Sequence, residues 1–297
     1  MRKSLVIFLL VVLGGSAFAQ RDTIANPNSI DKIPFYEQLY RFRVWRNVNL
    51  RERQNSGFKA AKSDIGDFLI KAIKNGSLVA YDGDSVKAAY KPEEVLVLNT
   101  AVQASPYNPQ QNYTTTEQVS YQGRNYASTR NDNVGHIPTD NQWWELTADQ
   151  TEFLQPSQIA ELQIVEDVIF DRRRSRLYYD IQYIGIIVEK DGQYNPKGYI
   201  YFKDFVKLVE KAAHSNSLDD RDRVQWRNRY NPAENKNFVD AFKLRLFHGI
   251  IEKVENPDDR TIEQIYSNNG RTYGESVFAR WEEEMKLMEK EHNLWEY

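Results

Sequence analysis

Between Glu166 and Gly185, apolar and polar positions alternate on both sides of a charged turn. Val168, Ile169 and Phe170 form a short apolar run, which Asp171-Arg172-Arg173-Arg174-Ser175 interrupts. Leu177, Tyr179, Ile181 and Tyr183 then alternate with Tyr178, Asp180 and Gln182. Period-two alternation about a polar turn predicts a β-hairpin with its arginines at the tip. A third strand is expected at 199–202, reached through the Asp191-Gly192-Gln193 turn and Pro196-Lys197-Gly198. Strands at 167–170, 177–188 and 199–202 then make an antiparallel meander.

Helical spacing appears on either side of this meander. Ile65, Phe68, Leu69 and Ile73 recur at i, i+3, i+4 and i+8, which predicts a helix from about Lys59 that Gly76 stops. A strand at 78–81 and the turn Asp82-Gly83-Asp84 follow. Phe205, Leu208, Val209 and Ala212 mark a second helix over 204–213. Near the other end, Phe238, Phe242, Leu246 and Phe247 build a helix face, Gly249 is read as its stop, and 250–254 as a strand. The order helix, Gly, strand, turn thus occurs twice, the pattern of a weak internal repeat and also a common one in α+β proteins. The last helix begins near Ser276. Phe278, Trp281, Met285, Met288 and His292 fall on one face and Glu282, Glu283 and Glu284 on the other. It reads either as a docking helix that covers the core or as a partner-binding helix with Trp281 and Met285 at the contact.

The stretch from about Asn99 to Trp144 differs in character. It is rich in Gln, Asn, Thr and Tyr and holds no helical period. Val119 and Tyr121 alternate along one strand, Gln122-Gly123 makes a tight turn, and Tyr126 lies on the return strand. Pro138, Trp143 and Trp144 close a very small core.

These patterns predict an α+β chain: two mixed α/antiparallel-β units at 34–98 and 147–297, separated by a small all-β insert at 99–146. Ahead of them, Arg2 and Lys3 precede the apolar run Leu5 to Leu13, and Ala17-Phe18-Ala19 supplies small residues. This is the pattern of a signal peptide over 1–19, cleaved before Gln20; the run is shorter than the ~20 residues of a spanning helix. An extended polar arm is expected over 20–33. The chain has 297 residues and Cys 0, so neither a lipobox cysteine nor a disulfide is available, although an exported compartment would permit disulfides. Loss of Arg2 and Lys3 leaves 37 basic residues against 42 acidic ones, a mature formal charge of −5. That balance argues against nucleic acid as a partner. Tyr 18, Phe 14 and Trp 6 make the chain rich in the side chains that favour interfaces and sugar platforms.

Catalytic patterns are missing. His136, His214, His248 and His292 are scattered, with no ligand pair at metal spacing. No G-x-S-x-G and no G-x-x-x-x-G-K-[ST] occurs, and Asp82-Gly83-Asp84 is too short for an EF-hand loop. Asp219-Asp220 and Asp258-Asp259 lie in polar loops suited to caps and turns. No enzyme activity, cofactor or metal is expected. Arginines cluster at 41–53, 172–176 and 221–229. Most such arginines face solvent and pair with acids, but a repeated subunit must present one face to the next copy.

The hairpin carries a resemblance. Its acidic residue, aromatic-Asp pair, basic run with Ser and Tyr-rich strand ending in Ile184-Gly185 resemble the core signature of the GldN/PorN family of the Bacteroidetes type IX secretion and gliding-motility machinery. The resemblance covers roughly 34–94 and 161–297. It implies a non-enzymatic subunit of a periplasmic ring, a homo-oligomer assembled with a GldK/PorK-type outer-membrane lipoprotein. The periplasmic part of a GldM/PorM-type motor protein and peptidoglycan are further expected contacts. Arg172, Arg173, Arg174 and Arg176, with Trp281 and Met285, are the expected interface residues. The insert separately resembles the carbohydrate-binding family 5/12 modules of chitinases, through Tyr113, Val119, Tyr121, Gly123, Tyr126, Asn133, Gly135, Pro138, Trp143 and Trp144. That resemblance implies sugar stacking on Tyr121, Tyr126, Trp143 or Trp144, and a polysaccharide- or peptidoglycan-binding envelope protein as the alternative function. Ala127-Ser128-Thr129-Arg130 stands where binding members carry exposed tryptophans, and the same aromatics equally suit the core of a spacer.

Overall fold

A computed structural model describes residues 24–84, 87–99, 104–147, 152–190 and 192–293. The expected signal peptide and the start of the arm lie outside the described residues. The hairpin strands are longer than the apolar run alone suggested, because half-buried polar positions continue the alternation. Six strands form the main sheet: β1 (Gln38–Asn49), β2 (Ala80–Tyr81), β3 (Ile159–Asp171), β4 (Arg176–Lys190), β5 (Gln193–Tyr201) and β6 (Ile250–Val254). Their order is β6-β1-β3-β4-β5-β2, and every neighbouring pair is antiparallel. The fold is α+β, as the periodicities predict. The two flanking stretches are not separate bodies, however. Strand β1 from the first pairs with β3 and β6 from the second, and both stretches fill one core.

Register assigns the faces. Phe42, Val44, Arg46 and Val48 lie opposite Val168, Glu166, Ile164 and Leu162, so these side chains share a face. In β4 the register slips between Val165↔Tyr183 and Glu166↔Ile181, leaving Gln182 as the extra residue of a β-bulge. The bulge moves Tyr183 to the opposite face from Leu177, Tyr179 and Ile181, with which simple alternation had grouped it.

Seven helices accompany the sheet among the described residues: α1 (Ile65–Lys74), α2 (Pro92–Leu96), α3 (Phe202–Ala213), α4 (Leu218–Arg223), α5 (Phe238–Lys243), α6 (Ile262–Asn268) and α7 (Tyr273–Asn293). Helix α1 starts at Ile65 rather than Lys59, since Asp64 caps it by accepting from the Gly66 and Asp67 N–H groups. Gly76, at φ 72°, ends it as expected. Helices α1, α3 and α5 cover one end of the Val48 face, where Phe58, Phe205, Phe238 and Phe242 meet Ile164 and Ile184. Helices α6 and α7 cover the other end, where Ile262, Ala279 and Leu287 meet Val44, Val168 and Ile251. Helix α5 is shorter than its apolar spacing suggests. Arg245 turns at φ 54° and Leu246 and Phe247 lie in the following loop. Gly249 is therefore not a helix stop; a Cβ there would meet Val48 Cγ2 at 2.9 Å and Arg46 Cγ at 3.0 Å.

The opposite face is more polar. Arg43 pairs there with Asp167 at 2.7 Å, and Tyr199 donates to Gln163 at 2.7 Å. Residues 24–33 do not stand away as a free arm but lie against this face, with Ile33 and Ser29 buried. Ser29 donates to Asp180, Asn26 to Gln182 at 2.9 Å, and Tyr178 to Asp31 at 2.6 Å.

The insert forms a four-stranded sheet from residues 105–106, 118–121, 124–128 and 144–147, in that order. Gln122 (φ 51°) and Gly123 (φ 77°) form the two-residue turn that a hairpin of this twist requires. Tyr113, Val119 and Trp144 are its buried core, flanked by Tyr107, Tyr126 and Trp143.

Candidate interaction surfaces

The β3–β4 turn is rigid in its backbone and open in its side chains. Asp171, itself buried, accepts from the Arg173 N–H at 2.9 Å, the Arg174 N–H at 3.2 Å and the Arg174 guanidinium at 3.0 Å. Burial alone would raise the Asp171 carboxyl, but these donors hold it below its ordinary range. Ser175, at φ 48°, closes the turn, and the Arg172 N–H donates to the Glu37 carbonyl at 2.8 Å. Arg172, Arg173, Arg174 and Arg176 are all exposed. Gln38 pairs with Asp171, which brings the preceding residues alongside this tip. Phe35, Tyr36 and Leu39 are exposed there at 43 %, 72 % and 51 %, and the Arg41 guanidinium lies 5.4 Å from the Phe35 ring centre. The arginines and these apolar groups thus sit at one end of the sheet. The aromatic part escaped the sequence reading because only the β1–β3 register places it beside the turn.

Helix α7 reverses one expectation. Its buried residues are Ser276, Ala279 and Leu287, whereas Trp281 and Met285 are exposed together with Phe278 and Met288. Arg280 fastens the inner side by ion pairs to Glu252 at 3.2 Å and Glu263 at 2.6 Å. The Lys290 ammonium lies 4.5 Å from the Phe42 ring centre. The large apolar face therefore does not cover the core; small residues bury because α7 packs closely on α6 and β6.

Where the two helical layers meet on the Val48 face, a buried ion cluster fills the seam. Glu166 is fully buried and accepts from Arg46 Nε at 3.1 Å and Arg245 Nη1 at 2.7 Å. Arg46 also reaches Glu284 of α7 at 2.7 Å. Burial would raise the Glu166 carboxyl, but Arg245 and Arg46 together hold it below its ordinary range. On the other face Asp167 and Asp180 stand directly opposite each other, both buried. Burial pushes the Asp180 carboxyl up to about 7, Asp167 and Asp31 add to the rise, and the donors Ser29 and Gln182 oppose it.

The insert's aromatics take different positions. Trp144, 1 % exposed, is core and offers no face to a sugar, which corrects its expected role. It donates to the His136 carbonyl at 2.8 Å. The His136 ring stacks on Trp143 at 3.8 Å between centres, and the Arg130 guanidinium lies 5.2 Å from the same ring. Tyr121 and Tyr126 are half-buried.

Among the described residues no group of three or more His, Cys, Asp or Glu is placed to hold a metal ion, and no helix is long and apolar enough to cross a membrane. No curated protein matches the sequence. The family described as gliding motility associated protein GldN matches residues 33–296, which takes in the hairpin tip, the seam and α7. The chain belongs to the GldN family and is a component of the gliding-motility and type IX secretion machinery of the cell envelope.

Proposed function

We propose that the chain is a non-enzymatic structural subunit of a periplasmic ring in this machinery. It is exported by the signal peptide of residues 1–19 and held at the outer membrane through a GldK/PorK-type lipoprotein. The observation that carries this reading is the hairpin tip. Its backbone is fixed by Asp171 and Glu37 while its four arginines and the adjoining Phe35, Tyr36 and Leu39 face outward. An exposed basic and aromatic surface on a hydrogen-bonded turn suits recognition, because little loop order remains to be imposed on binding. A ring of identical copies needs one such face repeated at every contact. The insert is read as a spacer, since its aromatic groups are largely engaged with one another.

Mixing the mature chain with its lipoprotein partner and imaging the product by electron microscopy tests this reading. Closed rings that contain both proteins are expected. Lipoprotein assemblies that exclude the chain would overturn it.

A further inference from the structure

The outer side of α7 has a repeat that the ring reading does not use. Phe278, Trp281, Met285 and Met288 follow one another at spacings of three, four and three residues, the alternation of a and d positions in a heptad. They are 71 %, 50 %, 61 % and 52 % exposed. The stripe spans about 15 Å along the helix, longer than the scattered single apolar residues of an ordinary surface. Directly after Trp281 and Met288 come Glu282 and Glu289, at the e positions, with Glu275 one heptad earlier; all three are exposed. Glu284 and Glu291 occupy the g positions on the other flank, the former tied to Arg46.

We propose that this face is one half of a coiled-coil seam. Its occupant is a helix of another protein, with apolar residues at its own a and d positions and Lys or Arg along its flanks. An a/d row at this spacing interlocks with the a/d row of a second helix, knobs into holes. The charge selects the partner. Two copies of α7 would oppose glutamates to glutamates at e against e in antiparallel order and at e against Glu284 or Glu291 in parallel order, Val277 being the one uncharged g position beside the stripe. An anionic lipid surface is disfavoured by the same glutamates; helices that lie on membranes carry Lys and Arg on their polar side. The inner side of α7 is already fastened by Leu287, Ala279 and the Arg280 ion pairs, so docking requires no change in the fold. This inference goes beyond the ring reading, which rests on the hairpin tip, and is tested without assembling a ring.

The test uses two fluorescent synthetic peptides of a few heptads, both with Leu at a and d. One has Lys at e and g, the other Glu. Each is titrated into the full mature chain and read by anisotropy, with the chain's tryptophan emission as a second signal. The Lys peptide should bind at least ~10-fold more tightly than the Glu peptide, as several favourable pairs replace several repulsive ones. Met285→Asp should abolish binding although it adds a negative charge, which separates seam docking from general attraction to an acidic protein. The double variant Glu282→Lys, Glu289→Lys should invert the preference. Both substituted faces are exposed, and an unchanged melting curve checks that each variant is folded. Equal affinity for the two peptides, binding by neither, or binding that survives Met285→Asp would overturn the proposal. So would self-association, or binding to vesicles of anionic lipid, that Met285→Asp removes.

Discussion

Arginines that look alike in sequence have opposite fates in β1 and at the β3–β4 tip. In β1, Arg46 is 3 % exposed and lies between Glu166 and Glu284, and Arg43 pairs with buried Asp167. At the β3–β4 tip, Arg172, Arg173, Arg174 and Arg176 are all exposed, and the ion pairs formed by Arg173 and Arg174 leave their side chains 61 % and 49 % accessible. The difference lies in register rather than composition. Position 46 faces a seam between two helical layers, where a charge must be matched. Positions 172–176 form a turn, where backbone groups are satisfied locally and side chains are left over. Arg43 and Arg46 therefore govern stability, whereas Arg41, Arg51 and Arg53 of the same stretch stay exposed like the tip arginines, which are available for recognition.

The largest expected effect is in the seam. Glu166→Ala leaves Arg46 and Arg245 facing each other without their carboxylate and should cost about 3–5 kcal/mol, measured by urea unfolding. A cost well below that would mean that Arg46 and Arg245 re-pair, Arg46 through Glu284, once the carboxylate is gone. Because the Glu166 carboxyl is held below its ordinary range, its contribution is present at neutral pH and is lost as pH falls through the folded value.

Asp180 has the opposite sign. Its folded value of about 7 lies above the ordinary one, so between about pH 4 and pH 7 the folded chain keeps a proton that the unfolded chain has released. Stability from this group is full below about pH 4 and is lost as pH rises through 7. Asp180→Asn should therefore stabilise the chain at pH 8, by on the order of 2–4 kcal/mol, and change little at pH 4. Equal destabilisation at both pH values would contradict the raised folded value, since Ser29 and Gln182 would then be bonding the carboxyl in the same state at both.

Smallest is the effect of Trp281→Ala. A buried Trp costs ~3–5 kcal/mol on truncation, but Trp281 is half exposed, so a change within about 1 kcal/mol is expected in thermal unfolding. A large loss would mean that the outer face of α7 is packed in solution.

Elements set by period alone are legible in the sequence. The hairpin, α1, α3 and the insert's Gln122-Gly123 turn follow from alternation, helical spacing and turn chemistry. Features set by long-range packing are not. Nothing in the period of residues 38–49 tells that they pair with both 159–171 and 250–254, so the sequence pattern shows two units where the chain forms one sheet. The bulge at Gln182 is invisible to strict alternation. Gly249 resembles a helix stop, yet its small size serves the approach of Val48 and Arg46. For α7 the apolar stripe was legible but its direction was not: burial followed Ala279 and Ser276, whose size permits close approach, rather than Trp281 and Met285. The arginine tip was legible from its turn, whereas its neighbours Phe35 and Tyr36 became visible only in the folded chain.

The most direct test of the contrast between the buried and the exposed arginines is the co-purification of the chain, carrying Arg172→Glu and Arg173→Glu, with the proposed lipoprotein partner. Arg174 is left intact because it holds Asp171. Yield relative to folded, monomeric input is the quantity measured. The account predicts a variant that unfolds like the parent but fails to co-purify. Co-purification at the parent's yield would contradict the assignment of the exposed cluster to assembly.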